Sequence, residues 1–482
     1  MLAIFRTIKI SSLVLLVICL LSPLSLTRAQ QEAIDDHFKT ECIFPSTHRK
    51  LQIAITDLVP QKQGDSVDKN ATYLPERLRA NLGMMGSFDS IDKRIFMEMN
   101  PRAGIDSDAP LDFSVWTRIG ADYLVKGSID LSGSRVTLKM WLFDVSLGKL
   151  LFCREYGESA ESAHKISNRF TNDFLEAITG VRGVFGSQII FVSGTKADKS
   201  IMMTEFGSDE ATQLAGHENG PSTQPTMGPG GKTAWIHRNN KQWELLLDGK
   251  VISSGSLHLT PAFRPEDGSL VAAVSEDDQT NIYAFNGENK TLLAGGGGIN
   301  VSPAFSPDGS RMVYVSDQDG SASLYIAPAG GGAPTRLTAG AKATDPSWSP
   351  TGELITFVIK ETDICIIRPD GTGFRQLTGR QGINTRPSFS PDGRMIVFSS
   401  NRKGREQLFV MATNGDKPQP LMPGYDKHQN MPFWCPTMPK NFWNSPMLKP
   451  SKFDSGYYYA PIINSEPGES KGQWEFTMGS MF

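Results

Sequence analysis

Among the residues of this 482-residue chain that could do covalent chemistry, one motif stands out. Gly468-Glu-Ser470-Lys-Gly472 has the spacing of a serine nucleophile elbow. An elbow needs a strand before the serine, a helix after it, and an acid and then a histidine downstream to activate the hydroxyl. No Asp or His follows Ser470, so the match is one of spacing alone. Asp317-Gln-Asp319-Gly320 and Glu276-Asp277-Asp278 gather carboxylates, but neither continues into the alternating oxygen ligands and closing Glu of a calcium loop. They read as polar hairpin turns. The glycine runs at 295–298 and 330–332 lack the Lys-Ser/Thr and the helix of a phosphate cradle. The seven histidines show no HxH or HExxH spacing, and His217, His237, His258 and His428 are scattered along the chain. No paired acids of the glycosidase kind are visible either. The expectation is no catalytic residue, no cofactor and no metal site.

The remaining chemistry is recognition. Short polar segments of mixed charge recur: Leu257-His258-Leu259-Thr260, Gly298-Ile299-Asn300-Val301-Ser302, Ala343-Thr344-Asp345, Asn384-Thr385-Arg386 and His428-Gln429-Asn430. Each precedes a copy of one repeat, Pro-x-aromatic-x-Pro. The copies begin at Pro225, Pro261, Pro303, Pro346, Pro387 and Pro432, with Met227 standing where the first would have its aromatic. A period of about 40 residues is that of a four-stranded propeller blade. Within one unit, Pro303-Ala-Phe-Ser is an inner strand and Ser306-Pro-Asp-Gly309 a type I turn. Arg311-Met-Val-Tyr-Val-Ser and Ser323-Leu-Tyr-Ile-Ala are the next two strands, and Pro334-Thr-Arg-Leu-Thr338 the outer one. The aromatic is expected to pack between neighbouring blades, and the preceding segments to be rim loops that a rigid scaffold presents for docking.

Strand sets two to four lie near 188–214, 233–253, 269–293, 311–338, 354–378 and 394–421. The first set has no opener before it and the last opener has no set after it. Six blades, with the C-terminal strand completing the first, account for both, and closure removes an exposed sheet edge.

Ahead of the repeat, 49–180 reads as an α/β domain. Leu51-Gln-Ile-Ala-Ile is a strand, and 73–85 a helix with Leu74, Leu78 and Leu82 on one stripe. A short helix at 112–119 and a three-stranded meander over 121–156 follow. A helix at 163–178 carries Ile166, Phe170 and Phe174 and stops at Gly180. Residues 1–29 form a secretory signal, with Arg6 and Lys9 before an apolar run and cleavage near Ala29. Cys19 follows Ile18, which does not suit a lipidation box. The extension 30–48 shows no periodicity, and the tail 437–482, despite Tyr457-Tyr-Tyr459, reads as disordered. Lys and Arg number 48 against 51 Asp and Glu, without a basic run, which argues against nucleic acid or an anionic membrane surface. Cys42, Cys153, Cys365 and Cys435 form no CxxC pair; Cys42 and Cys153 could bridge the front domain, or the thiols stay unpaired.

A signal peptide, a small α/β domain and six P-x-[FW]-S-P-D-G-like blades resemble the TolB family, periplasmic components of the Tol–Pal system. The Ser-Pro-Asp-Gly turns at 306–309 and 390–393, Leu337-Thr338 and Leu377-Thr378, and the absence of Trp-Asp dipeptides carry the resemblance. It implies a monomeric, non-enzymatic periplasmic protein. The propeller would bind the peptidoglycan-associated lipoprotein Pal around the channel mouth, and the mature N-terminus would dock the inner-membrane protein TolA. Such an assembly supports outer-membrane integrity and cell division. Carried onto this chain, the Pal-facing residues would be His258, Asn300, Thr344, Asp345, Thr385 and Arg386, and the TolA segment would lie within 30 to about 45. The alternatives are a ligand or glycan sensor that uses the channel, and a hydrolase with channel carboxylates.

Overall fold

The computed structural model describes residues 49–436, apart from short stretches at 62–68, 106–108, 133, 196–197, 217–219, 241, 256, 288 and 417. The segment 1–29 expected to be a secretory signal, the extension with Cys42 and thus any Cys42–Cys153 bridge, and the tail with its Ser470 motif lie outside the described residues.

The front domain is a mixed sheet under two helices. Its strands are β1 (Leu51–Ile55), β2 (Val59–Pro60), β3 (Phe88–Ser90), β4 (Tyr123–Ser132), β5 (Arg135–Asp144) and β6 (Lys149–Ser159), in the order β3-β1-β4-β5-β6, with β2 also on β4. β1 runs parallel to both neighbours, whereas β4, β5 and β6 form the antiparallel meander. Helix α1 (Lys69–Met84) buries Leu74, Leu78 and Leu82, residues four apart and hence on one face. The short α2 (Phe113–Arg118) is capped by Asp112, whose carboxylate accepts from the Ser114 amide at 2.9 Å. Helix α3 (His164–Thr179) buries Ile166, Phe170 and Phe174 and ends at Gly180, whose φ of 73° only glycine adopts freely.

Six four-stranded antiparallel sheets follow. Blade 2 opens with Ser222–Met227, blade 3 with Leu257–Phe263, blade 4 with Asn300–Phe305, blade 5 with Thr344–Trp348 and blade 6 with Asn384–Phe389. Blade 1 combines Gln188–Gly194, Lys199–Glu205 and Ala211–Ala215 with an inner strand from the far end of the propeller, Gln429–Trp434. That strand pairs Phe433 with Ile190 and Trp434 with Ile189. The Trp434 indole N–H donates to Ser187 Oγ at 2.8 Å, across 247 residues of sequence. The ring is closed as the repeat requires. The aromatics pack between blades: Phe305 against Val271 and Ala273, Trp348 against Val313 and Leu324, Phe389 against Val358 and Ile364. Met227 fills the equivalent gap at blade 2, against Ile190 and Cys435.

Two details differ from the sequence reading. The outer strand of blade 4 is only Thr335–Arg336. Most of each segment before an opener is not a rim loop but the first half of the inner strand, which begins as much as four residues before the proline; Gly298, Ile299, Ala343 and His428 lie ahead of the strands. The reason is a bulge. Proline has no N–H for the ladder, so pairing skips at that point in every blade. Val301 pairs Val315 and Ala304 pairs Val313, three residues facing two, and the other five inner strands repeat the same slip.

Because the blades are antiparallel meanders, the turns after the first and third strands share one face of the disc. The other face carries the turns after the second strand and the connections between blades. The front domain sits on the first face. Arg394, beside the Ser-Pro-Asp-Gly turn of blade 6, donates to Thr179 Oγ1 at 3.3 Å. Arg77 pairs with Asp209 at 2.5 Å, and Asn168 Nδ2 donates to the Phe206 carbonyl at 3.4 Å. One apolar cluster runs through both parts, from Leu78, Phe170 and Phe174 to Phe206, Met395 and Trp434.

Candidate docking face around the channel mouth

The residue before each opening proline is the bulge residue. Gln224, Thr260, Ser302, Asp345, Arg386 and Met431 all take the left-handed conformation, with φ between 46° and 56°. A non-glycine residue there costs about 1–2 kcal/mol, so six in register mark a position that the ring geometry imposes. Together with the prolines they line a channel cavity of about 500 Å³. The bulge removes each of these amides from its ladder, and a neighbouring blade satisfies several of them. The Gln224 side-chain carbonyl accepts from the Thr260 N–H. Thr260 Oγ1 accepts from the Ser302 N–H at 2.8 Å, and Ser399 Oγ from the Met431 N–H at 3.1 Å. Between blades 5 and 6 the link is ionic, Arg386 Nε to Asp345 Oδ1 at 3.1 Å. The ring lies towards the face that the front domain leaves open, since each inner strand starts there and runs to the covered side.

Of the six residues expected to face a partner, Asp345 and Arg386 stand on this ring as an ion pair, and Thr344 and Thr385 beside them are half-buried. His258 and Asn300 do not belong with them. Both are buried. His258 Nε2 meets Ser253 Oγ at 2.9 Å, and Asn300 Nδ2 donates to the Thr280 carbonyl at 3.1 Å, each reaching the preceding blade. Three residues before the proline the side chain is buried, and in four blades a polar residue at that offset staples its strand to the blade before it, whereas Ser222 meets His237 Nδ1 at 3.3 Å within its own blade. Asn384 does the same to the Thr362 carbonyl at 2.8 Å, and Gln429 accepts from the Leu408 amide at 3.1 Å. The sequence signal was a polar residue at a fixed offset: Ser222, His258, Asn300, Asn384, Gln429. Gln224, Thr260, Ser302 and Met431 were missed because their types share nothing but position.

The acidic turns are structural in this fold. Asp317 Oδ1 accepts from the Ile299 amide at 2.6 Å, and Asp277 and Asp278 take φ of 48° and 61° in a tight hairpin. Among the described residues no group of three or more His, Cys, Asp or Glu could hold a metal ion.

A closed six-bladed ring with an α/β domain on one face defines a two-domain β-propeller protein. Comparison with known proteins makes this specific. The TolB beta propeller domain matches residues 175–368 and 359–438, and the TolB amino-terminal domain matches 43–151. The chain belongs to the TolB family. A TolB homolog from Chlorobium luteolum is 30% identical over 362 residues, 75% of this chain and 64% of that protein. One from Chlorobium chlorochromatii is 33% identical over 61% of this chain and 50% of that protein. The chain thus spans about half to two thirds of the length of these relatives. The crystal structure of TolB from Acinetobacter baumannii superposes with a TM-score of 0.68 at 22% identity, covering 82% of this chain and 98% of that one, which establishes the shared fold.

Proposed function

We propose that this protein is a periplasmic, non-catalytic adaptor of a Tol–Pal system. Its open propeller face binds a Pal-like peptidoglycan-associated lipoprotein around the channel mouth, and the segment within residues 30 to about 45 docks a TolA-like inner-membrane protein. The observation that carries the reading is the placement of the front domain: it occupies one face of the disc and leaves the other, with its ring of bulge residues, accessible. Family membership supports it, and a relative from Syntrophotalea carbinolica, 29% identical over 38% of this chain, is described as a Tol-Pal system protein TolB. Among the described residues no helix is long and apolar enough to cross a membrane.

The contact residues are Thr344, Asp345, Thr385 and Arg386, with Thr260 and Ser302 joining them on the ring. His258 and Asn300 act from beneath, by holding the strands that present the face. The test is capture of the soluble Pal domain by immobilised protein. Exchanging Asp345→Arg together with Arg386→Asp keeps an ion pair but reverses its direction, and should weaken capture at least about tenfold while leaving the melting temperature unchanged. Undiminished capture by that variant would remove the channel mouth from the interface.

A further inference from the structure

The backbone of the open face repeats six times, so shape alone offers a docking partner six nearly equivalent settings about the axis. Its charges do not repeat. The turn after the second strand of blade 3 carries exposed Asp277 and Asp278, and that of blade 4 carries Asp317. Blade 6 lies opposite blade 3 in the ring, and its corresponding turn carries Arg402 and exposed Lys403, with exposed Arg380 in the connection leading into it. Among the described residues no ion pair neutralises Asp277, Asp278, Arg380, Arg402 or Lys403. By contrast, Lys360 and Glu361 on blade 5 are adjacent, as are Asp426 and Lys427, and each couple cancels locally.

Arg402 anchors the basic side. Its guanidinium lies over Phe398 and Phe409, with centroids at 5.2 and 4.8 Å. It donates only to uncharged oxygens: Ser400 Oγ at 3.0 Å, Gln381 Oε1 at 3.1 Å and Asn384 Oδ1 at 2.8 Å. A cation fixed this way holds its charge in place without a counter-ion, and burial lowers its pKa below the usual arginine value with no carboxylate to raise it again.

We infer that the open face is electrically polarised across the channel and admits its protein partner in one rotational setting, with an acidic patch of the partner against blades 5 and 6 and a basic patch against blades 3 and 4. This rests on the docking role proposed above and adds the chemistry and orientation of what docks. Such a field steers encounter more than it tightens the final complex, so its signature is the association rate and its dependence on salt.

The test uses the full chain, the soluble Pal domain as probe, and two double variants. Asp277→Asn with Asp278→Asn keeps side chains that tolerate the left-handed turn and takes the net charge from −3 to −1. Arg380→Asn with Lys403→Gln takes it from −3 to −5. A field set by net charge would speed one variant and slow the other. A polarised face slows both, by about three- to tenfold at ~0.01 M salt, where screening reaches ~30 Å, with the differences vanishing at ~0.15 M, where it reaches ~8 Å. Opposite changes, or unchanged rates in both, overturn the inference while leaving the docking role in place. A wild-type protein that does not bind Pal overturns the docking role itself, and this inference with it. Unaltered thermal melts of both variants establish that the rates report charge.

Discussion

Replacing Trp434 with alanine tests the closed ring directly. The indole is 2% exposed, packs within 4.9 Å of the Phe206 ring, and belongs to the apolar cluster shared by blade 1, blade 6 and the front domain. Truncating a buried Trp costs about 3–5 kcal/mol through lost burial and the cavity left behind. Ser187 Oγ also loses its indole donor, which adds about 1 kcal/mol. The expected loss is therefore about 4–6 kcal/mol, comparable to the whole stability of many domains. Trp434→Phe separates the two parts: it keeps most of the volume and should cost only about 1–2 kcal/mol. The assay is urea unfolding followed by far-UV circular dichroism, which does not rely on the fluorophore being removed. Because the cluster is shared, Trp434→Ala should lower the midpoint of the front domain together with that of the propeller. A loss below about 1.5 kcal/mol, or a front domain that unfolds at its wild-type midpoint, would refute a closure that both parts depend on.

Further outcomes follow from the same geometry. Asn384→Ala should cost about 2–4 kcal/mol in urea unfolding, since Asn384 holds the Thr362 carbonyl, Ser400 Oγ and Arg402 at once; a cost under about 1 kcal/mol would dismiss the staple. At the domain contact the order of two variants is informative. Asp209→Ala should destabilise more than Arg77→Met, because it strands a guanidinium that is 5% exposed, whereas the carboxylate, 44% exposed, is readily hydrated when the arginine goes. The reverse order in thermal melts would argue against that assignment. Hydrogen bonds from Ser306 and Ser310 hold the Asp308 carboxyl down to about 2, so its folded-state pKa lies below its unfolded one. Its contribution is then complete above about pH 4 and lost as pH falls towards 2, and the stability gap between wild type and Asp308→Asn should close over that window. A gap that persists at pH 2 would show that the turn does not depend on ionised Asp308.

The architecture was legible because its signals are local and repeated. Proline and an aromatic two residues apart, copied at blade spacing, were enough to place the inner strands, and the unmatched opener at Pro432 pointed to the closing strand. The front-domain helices were visible as apolar residues four apart. The site was less legible, because a bulge is a property of two paired strands and only one of them is visible in any short window. Without the bulge, His258 and Asn300 look like rim residues. One extra residue in the strand turns them into the blade instead and leaves Asp345 and Arg386 on the ring. The ring positions carry Gln, Thr, Ser, Asp, Arg and Met, six types with no common chemistry, so no residue pattern could announce them.

The closing strand also has a consequence for how the molecule is made. Blade 1 cannot be completed until residues 429–434 are free to fold back, although its other three strands begin at residue 188. Until then that sheet has an unpaired edge, and the groove that receives Trp434 stays open beneath the front domain. Contacts separated by such a length of chain form slowly. Folding therefore passes through a stage in which the earliest and latest parts of the propeller must wait for each other, with Gln188–Gly194 as the edge left uncovered.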